Sequence, residues 1–493
     1  MVRKNKVLGL TVAVLVLVAV VLTAAAPQQQ VATAGVENGH YGRKAKYVFY
    51  FIGDGMAMPQ ITSTEIYKGT VDSSDRMNRE KLNFTRFPYQ GMQTTYAANT
   101  FITESAAAGT ALATGHKTNN DVLGMDAGKT VPFKTMAEMA KEQGMKIGIV
   151  TSVSLDHATP AAFYAHEPTR KNYYEIELAM ADSGFDYFAG GGLLAPNGKK
   201  NDKQNALEIA QGKGYKVVNT KEDILGLKAA DGKVIAINPV LAAESALQYE
   251  VDRTDQLSLA DFTQKGIELL DNPNGFFMMV EGGKVDWACH ANDAATTVHD
   301  MVAFENAIGE ALTFYAKHPN ETLIVVTGDH ETGGMTIGFA GTQYDTFFSK
   351  IDNQILSFEE FDKAIKDYRD NVGSAGASLN DWLPVLTEKF GLYDLSDYEK
   401  TRLQDALAAS MIDPKKRARD EQSYLLYGGY EPFSVTVTHI LNQKAGIGWT
   451  TYAHTGVAVP VFAQGAGGDM FQGYYDNTDT AKKIMSIMGL QYQ

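Results

Sequence analysis

Residues 46–55 read Lys-Tyr-Val-Phe-Tyr-Phe-Ile-Gly-Asp54-Gly55, and residues 322–330 read Thr-Leu-Ile-Val-Val-Thr-Gly-Asp329-His330. Both are short, continuously apolar runs that end on a glycine and a carboxylate. A strand with one wet face alternates polar and apolar residues. A continuous run instead predicts a strand buried on both faces, as in a parallel sheet covered by helices. Working outward from Lys46–Ile52 and Thr322–Thr327, the same kind of run recurs at Lys146–Thr151, Phe276–Val280 and Val457–Phe462. Helical patterns lie between the runs at Ala106–Thr114, Val131–Gln143, Ala294–Tyr315 and Thr480–Met488. This rhythm predicts an α/β fold with a doubly wound, mainly parallel central sheet flanked by helices.

One region breaks the rhythm. From about 341 to 433 the chain is charged, aromatic and helical in pattern, with Ser357-Phe-Glu-Glu and Ser396-Asp-Tyr-Glu each opening a helix in the manner of a capping box. It is expected to be a largely helical insertion in a single catalytic domain spanning 35–493. The insertion either covers the site or serves as a surface decoration or subunit contact.

The first residues stand apart. Arg3, Lys4 and Lys6 precede an apolar stretch from Leu8 to Ala26, and Ala32-Thr33-Ala34 has the small-x-small pattern of a cleavage site. Residues 1–34 are therefore expected to be an export signal. An uncleaved anchor is the competing reading, and only then would the chain meet a membrane. The expected location is periplasmic or extracellular. Removing this leader takes away three cations and moves the net charge from −14 to −17. So acidic a chain excludes a nucleic-acid-binding surface, which needs a basic footprint, but it admits small phosphorylated substrates where metal ions supply local positive charge. The single cysteine, Cys289, excludes an internal disulfide and is expected to be a buried thiol rather than a metal ligand.

In open α/β sheets, functional groups collect beyond the carboxyl ends of strands. Here the strand ends carry Asp54, Asp156-His157-Ala-Thr159, Glu281 with Asp286 and His290, and Asp329-His330, while His454 precedes the last run. Carboxylates and imidazoles without thiolates suit zinc in a catalytic site, and hard oxygen ligands suit magnesium. Asp286 and His290 are four apart, so one helical turn presents both on one face. Thr103-Glu104-Ser105-Ala-Ala-Ala-Gly places a serine at the start of an alanine-rich helix. Ser105 is either a helix cap or a nucleophile that gains from the helix dipole, which also favours a bound phosphate. No histidine base lies nearby in sequence, so cation activation is the economical route for a nucleophile.

Together these motifs resemble bacterial alkaline phosphatases: Gly-Asp54-Gly, Ser105-Ala-Ala, His157-Ala-Thr159-Pro with Arg170, Val-Glu281-Gly-Gly-x-x-Asp286-x-x-x-His290, Asp329-His330 and His454-Thr-Gly. Order and spacing agree over roughly residues 45–340 and 440–490. The resemblance implies two zinc ions, one on Asp286, His290 and His454, the other on Asp54, Asp329 and His330 and touching Ser105. It implies a third ion, usually magnesium, on Asp54, Thr159 and Glu281, with Arg170 clamping two phosphate oxygens. His157 and Trp287 are expected on the substrate side. They stand where the enteric type has Asp and Lys, and the histidine–tryptophan pairing is similar to marine and cold-environment members. Glu104 replaces the more usual Asp, and no histidine follows two residues beyond His330.

The activity implied is hydrolysis of phosphate monoesters through a phosphoserine, with broad specificity, by a chain that related enzymes suggest is a homodimer. A phosphodiesterase or phosphonate hydrolase of the same superfamily is the nearest alternative. A non-catalytic metal- or phosphate-binding protein is the alternative of a different class.

Overall fold

The largest apolar side chains line up in strand β1 (Tyr47–Gly53), and every residue of that strand is buried. A computed structural model describes residues 44–492, and the expected leader, residues 1–34, lies outside them. β1 sits inside a ten-stranded sheet with β2 (Tyr89–Thr94), β3 (Lys146–Thr151), β4 (Tyr187–Gly190), β5 (Tyr215–Val218), β6 (Lys233–Ile237), β7 (Phe276–Gly282) and β8 (Thr322–Gly328). Two further strands, Val459–Gly465 and Gly473–Asp476, complete it. The spatial order is Gly473–Asp476, β2, Val459–Gly465, β8, β1, β7, β3, β4, β6, β5. Only Val459–Gly465 runs against its neighbours, pairing antiparallel with both β8 and β2. The α/β class with a mainly parallel sheet is thus the observed architecture.

Alternation along the strands divides their side chains between two cores. Val48, Tyr50 and Ile52 join Phe277 and Met279 on one face, while Tyr47, Phe49 and Phe51 join Phe276, Met278 and Val280 on the other. Burial on both faces explains the unbroken apolar runs.

The helix expected over Val131–Gln143 starts later, at Met136. Thr135 and Glu138 form a reciprocal capping box that fixes its first turn, and Pro132 favours an extended residue before it. Within the 341–433 stretch lie the helices Phe358–Gly376, Leu379–Phe390, Asp397–Ser410 and Glu421–Tyr427. They share a third core with the following helix, Pro432–Ala445, and with Ala294, Ala295 and Val298 of the long helix Ala294–Tyr315. No helix of the described residues is long and apolar enough to cross a membrane.

Candidate active site

Gly53 lies opposite Gly282 on one side and Gly328 on the other, so three central strands end level with one another. A Cβ at Gly328 would stand 1.9 Å from the Met56 carbonyl oxygen, which is why the backbones can close so tightly there only with glycine. Asp54 and Asp329 follow immediately, and Glu281 faces both Ile52 and Thr151 in register. After β7 the chain enters the helix Lys284–His290, whose single turn presents Asp286 and His290. His454 precedes its strand in sequence rather than following it. Because Val459–Gly465 runs the other way, its beginning lies at the same sheet end as the carboxyl ends of the rest.

Three groups of ligand atoms result: Asp286, His290 and His454; Asp54, Asp329 and His330; and Asp54, His157 and Glu281. Within each, the atoms lie within 4.8 Å of one another. The first two groups adjoin, since the His330 and His454 rings stack with centroids 3.6 Å apart.

The donor chemistry fits cations. His290 Nδ1 is 2.6 Å from the Tyr452 carbonyl, and His454 Nδ1 is 2.8 Å from the Thr103 carbonyl. A carbonyl only accepts, so each Nδ1 carries the hydrogen and each neutral ring presents a bare Nε2 lone pair. Those two Nε2 atoms are 3.0 Å apart, with Asp286 oxygens 3.4 and 3.5 Å away. Lone pairs converging on a carboxylate call for a cation. In the second group His330 Nε2 lies 3.3 Å from both Asp54 Oδ1 and Asp329 Oδ2. Both of those oxygens, and Glu281 Oε1, are buried without a hydrogen-bond partner among the described residues. Buried polar atoms of this kind are costly unless an ion or water satisfies them.

Electrostatics agree. Burial, reinforced by the neighbouring carboxylates, pushes Asp54 and Asp329 well above the usual range, and burial pushes Glu281 up to about 7. Burial also works against the Asp286 charge, but His290 and His454 hold that carboxyl well below its usual value. Desolvation lowers His290 and Asp286 raises it, and the carboxylate prevails, at about 9. A field that attracts a proton so strongly attracts a divalent cation too.

Ser105 is the first residue of the helix Ser105–Thr114, but it is not the cap. The preceding Glu104 accepts hydrogen bonds from the Ala106 and Ala107 amides and from Asp121, and also pairs with Arg170 Nη1 at 2.5 Å. At the helix end expected to welcome phosphate, the Ala106 and Ala107 amides are therefore taken by Glu104. The Ser105 hydroxyl points elsewhere, 3.5 Å from Asp54 Oδ2 and 3.4 Å from His330 Nε2. Burial opposes the Arg170 charge, yet Glu104 more than offsets it and keeps the guanidinium cationic. Arg170 Nη2 lies 3.0 Å from His157 Nε2, and the Trp287 ring stands edge-on to His157 at 5.8 Å. Burial, with Arg170 adding to it, lowers His157 to about 3. Thr159 Oγ1 is 3.5 Å from Asp54 Oδ2, and Thr151 donates to Glu281 Oε2 in a short hydrogen bond. Asp54, Ser105, His157, Thr159, Arg170, Glu281, Asp286, Trp287, His290, Asp329, His330 and His454 meet at this end of the sheet, whereas Asp156 joins none of the ligand groups and instead accepts from the Leu194 amide. Cys289 is buried beside them, bonded to Gln60 and Thr297, and burial raises its thiol far above the usual value.

The sequence profile of the family described as alkaline phosphatase matches residues 45–190 and 184–490. The chain belongs to the alkaline phosphatase family. It is 35% identical over 452 residues to alkaline phosphatase 4 of Bacillus subtilis (strain 168), covering 90% of this chain and 88% of that one. The crystal structure of a cold-active alkaline phosphatase from a psychrophilic Shewanella sp. superposes with a TM-score of 0.75 at 32% identity, over 90% of this chain and 99% of that one. A histidine-to-aspartate mutant of the alkaline phosphatase from the Antarctic bacterium TAB5, with magnesium bound in its M3 site, gives 0.62 at 26% identity over 91% and 99%. The chain is accordingly a metal-dependent phosphomonoesterase.

Some alkaline phosphatase site residues escaped the sequence. Thr332 bonds Asp286, Thr151 bonds Glu281, and the Tyr452 and Thr103 carbonyls aim two histidines. Thr332 stands two residues beyond His330, where period-two geometry in an extended segment would have flagged it. Nothing local marks Tyr452 or Thr103, because their contribution is backbone.

Proposed function

We propose that Ser105 is the nucleophile of a broad-specificity alkaline phosphatase and that Arg170 holds two oxygens of its substrate's phosphoryl group. The observation that carries this reading is the Ser105 hydroxyl itself. It is released from capping by Glu104 and aimed at the point where Asp54 and His330 converge. The cofactors proposed are two zinc ions, on Asp286, His290 and His454 and on Asp54, Asp329 and His330, with one magnesium on Asp54, Thr159 and Glu281. When bound, these ions stabilise negative charge on the attacking and leaving oxygens of an in-line displacement. Mixed nitrogen and oxygen donors without thiolate support zinc, and the all-oxygen third set supports magnesium. So does the magnesium in the M3 site of the TAB5 mutant.

His157 bears on the third ion. While Nε2 accepts from Arg170, the neutral ring carries its hydrogen on Nδ1, which then has no lone pair for a cation. His157 thus serves the phosphate clamp, and Thr159 supplies the third-site oxygen.

The Ser105 oxygen attacks phosphorus and the alcohol departs, leaving a phosphoserine that water then cleaves. Arg170 keeps two non-reacting oxygens in a bidentate hold, and Glu104 keeps the guanidinium in place. Only the phosphoryl group is gripped, so specificity for the alcohol is broad. The leader sequence at 1–34 supports export to the periplasm or beyond the cell. Small phosphorylated molecules are the partners proposed. A homodimer is proposed from the resemblance to related alkaline phosphatases.

Exhaustive chelation followed by metal addition tests the reading. Activity on a chromogenic monoester should vanish and return with zinc more fully than with magnesium alone. Full activity at verified zero metal would refute it.

A further inference from the structure

We propose that Thr332 is a positioning residue that joins the two zinc clusters, its single hydroxyl orienting Asp286 in one and His330 in the other. Thr332 lies in the two-residue strand Glu331–Thr332, directly opposite His454 in an antiparallel pair. Its side chain is fully buried and packs against Gly55, which itself lies against the Asp286 backbone. A Cβ at Gly55 would lie 3.0 Å from the hydroxyl and 2.9 Å from the Asp286 Cα.

The Thr332 oxygen makes a short hydrogen bond to Asp286 Oδ1 and lies 3.3 Å from His330 Nδ1. A hydroxyl has one hydrogen and two lone pairs, whereas an ionised carboxylate only accepts. The hydrogen therefore goes to Asp286, and the oxygen presents a lone pair to His330. That lone pair selects the ring form with its hydrogen on Nδ1. His330 Nε2 is then left bare toward Asp54 Oδ1, Asp329 Oδ2 and Ser105 Oγ, at 3.3, 3.3 and 3.4 Å. Among the described residues the hydroxyl is the one hydrogen-bond partner of His330 Nδ1.

The hydroxyl is also held in place. The Thr332 carbonyl accepts from Gln60 Nε2 at 3.1 Å, and the same amide reaches Glu331 Oε1 at 2.8 Å. Glu331 in turn accepts from the Gly334 and Met335 amides and from the Thr455 hydroxyl next to His454. The chain around Thr332 is thus pinned to both ligand-bearing segments, and its hydroxyl completes the link.

This inference rests on the zinc-ligand assignment above, and one experiment separates the two. The holoenzyme is titrated with a chelator and zinc per chain is counted by elemental analysis, with no turnover involved. Outer partners of metal ligands commonly change affinity by roughly 10- to 100-fold, so Thr332→Val should loosen both zinc ions by that factor. Thr332→Ser, which keeps the hydroxyl, should hold zinc as the parent does. Thr332→Ala replaces the valine variant if the latter does not fold. Parent-like retention without the hydroxyl, loosening of one ion alone, or equal loss in Thr332→Ser would overturn the proposal. His290→Ala should release one zinc regardless of position 332. If it releases none, the ligand assignment fails instead.

Discussion

Asp54, Asp329 and His330 stand on the ends of two adjacent strands and are fully buried, whereas Asp286, His290 and His454 come from a seven-residue helix and a two-residue strand. The two histidines of that second set keep part of their surface open. The strand-end ligands inherit their positions from sheet register, which the seven-residue pairings of β1 with β7 and with β8 hold in place. The others are aimed one by one, through the Tyr452 carbonyl, the Thr103 carbonyl and the Thr332 hydroxyl, the last of which also meets His330. On the proposed reading, rigid register would suit residues that hold a cation against Ser105, and the partly open cluster would leave room for an alcohol to depart and water to enter.

Ligand removal is the harshest way to break this contrast. Asp54→Asn touches two clusters and should lower kcat/KM by about 10³-fold or more, beyond rescue by added zinc, on the scale of losing a main source of charge stabilisation. His290→Ala should lose less and regain part of its activity in excess zinc, because its open side admits a replacement ligand. Equal, unrescuable losses would erase the distinction between the clusters.

Arg170 comes next in size. Arg170→Ala should cost roughly 10²-fold in kcat/KM and weaken inhibition by inorganic phosphate, while Arg170→Lys recovers only part because a point charge cannot grip two oxygens. Phosphate inhibition unchanged in the alanine variant would put Arg170 outside the site.

His157 and Trp287 sharpen the picture of the third site. Asp at 157 adds an anion near the third ion and frees Arg170 from its imidazole partner, and Lys at 287 adds a compensating cation. His157→Asp and Trp287→Lys should therefore couple by about 0.5–3 kcal/mol in a double-mutant cycle on kcat/KM and alter magnesium activation. Strict additivity with an unchanged magnesium response would show that the two do not share the site.

The smallest effect concerns the helical layer behind the open cluster. His439, on Pro432–Ala445, places Nε2 3.1 Å from Asn292 Oδ1, two residues beyond His290. Burial, with Arg402 adding to it, lowers His439 to about 4. The unfolded chain binds that proton near pH 6.5. The stabilisation is therefore fully present above about pH 6.5 and fades as pH falls toward 4. Hydrogen-exchange protection factors in 432–445, corrected for the intrinsic pH dependence of exchange and measured with zinc saturating, should be lower at pH 5 than at pH 8 in the parent, and His439→Gln should flatten that difference. A variant with the parent's pH dependence would assign it to other groups.

Legibility in the sequence followed the same divide. β1, β3, β7 and β8 announced themselves because strands buried on both faces are unbroken apolar runs. β2, with Gln90, Gly91 and Gln93, and the four-residue β5 with its exposed Lys216 carry no such signature. The run before Phe462 marked a strand but not its reversed direction, which depends on a neighbour over a hundred residues away. Asp54, Asp329 and His330 were plain from their strand ends. Whether Ser105 capped its helix was undecidable until Glu104, one residue earlier, was seen to do so. Position 332 stood out only as lacking a histidine, and the role of the Thr332 hydroxyl was hidden because its partner, Asp286, is 46 residues away in sequence.

Ser105, seated at the rigid cluster, is expected to carry the phosphoryl group during turnover. Mixing the zinc-loaded enzyme with a radiolabelled phosphate monoester, quenching in acid and mapping the label by mass spectrometry tests it directly. The prediction is a phosphoserine at Ser105 in the parent and no covalent label in Ser105→Ala, even though that variant keeps its fold and metals. Label on another residue, or a labelled Ser105→Ala, would contradict it.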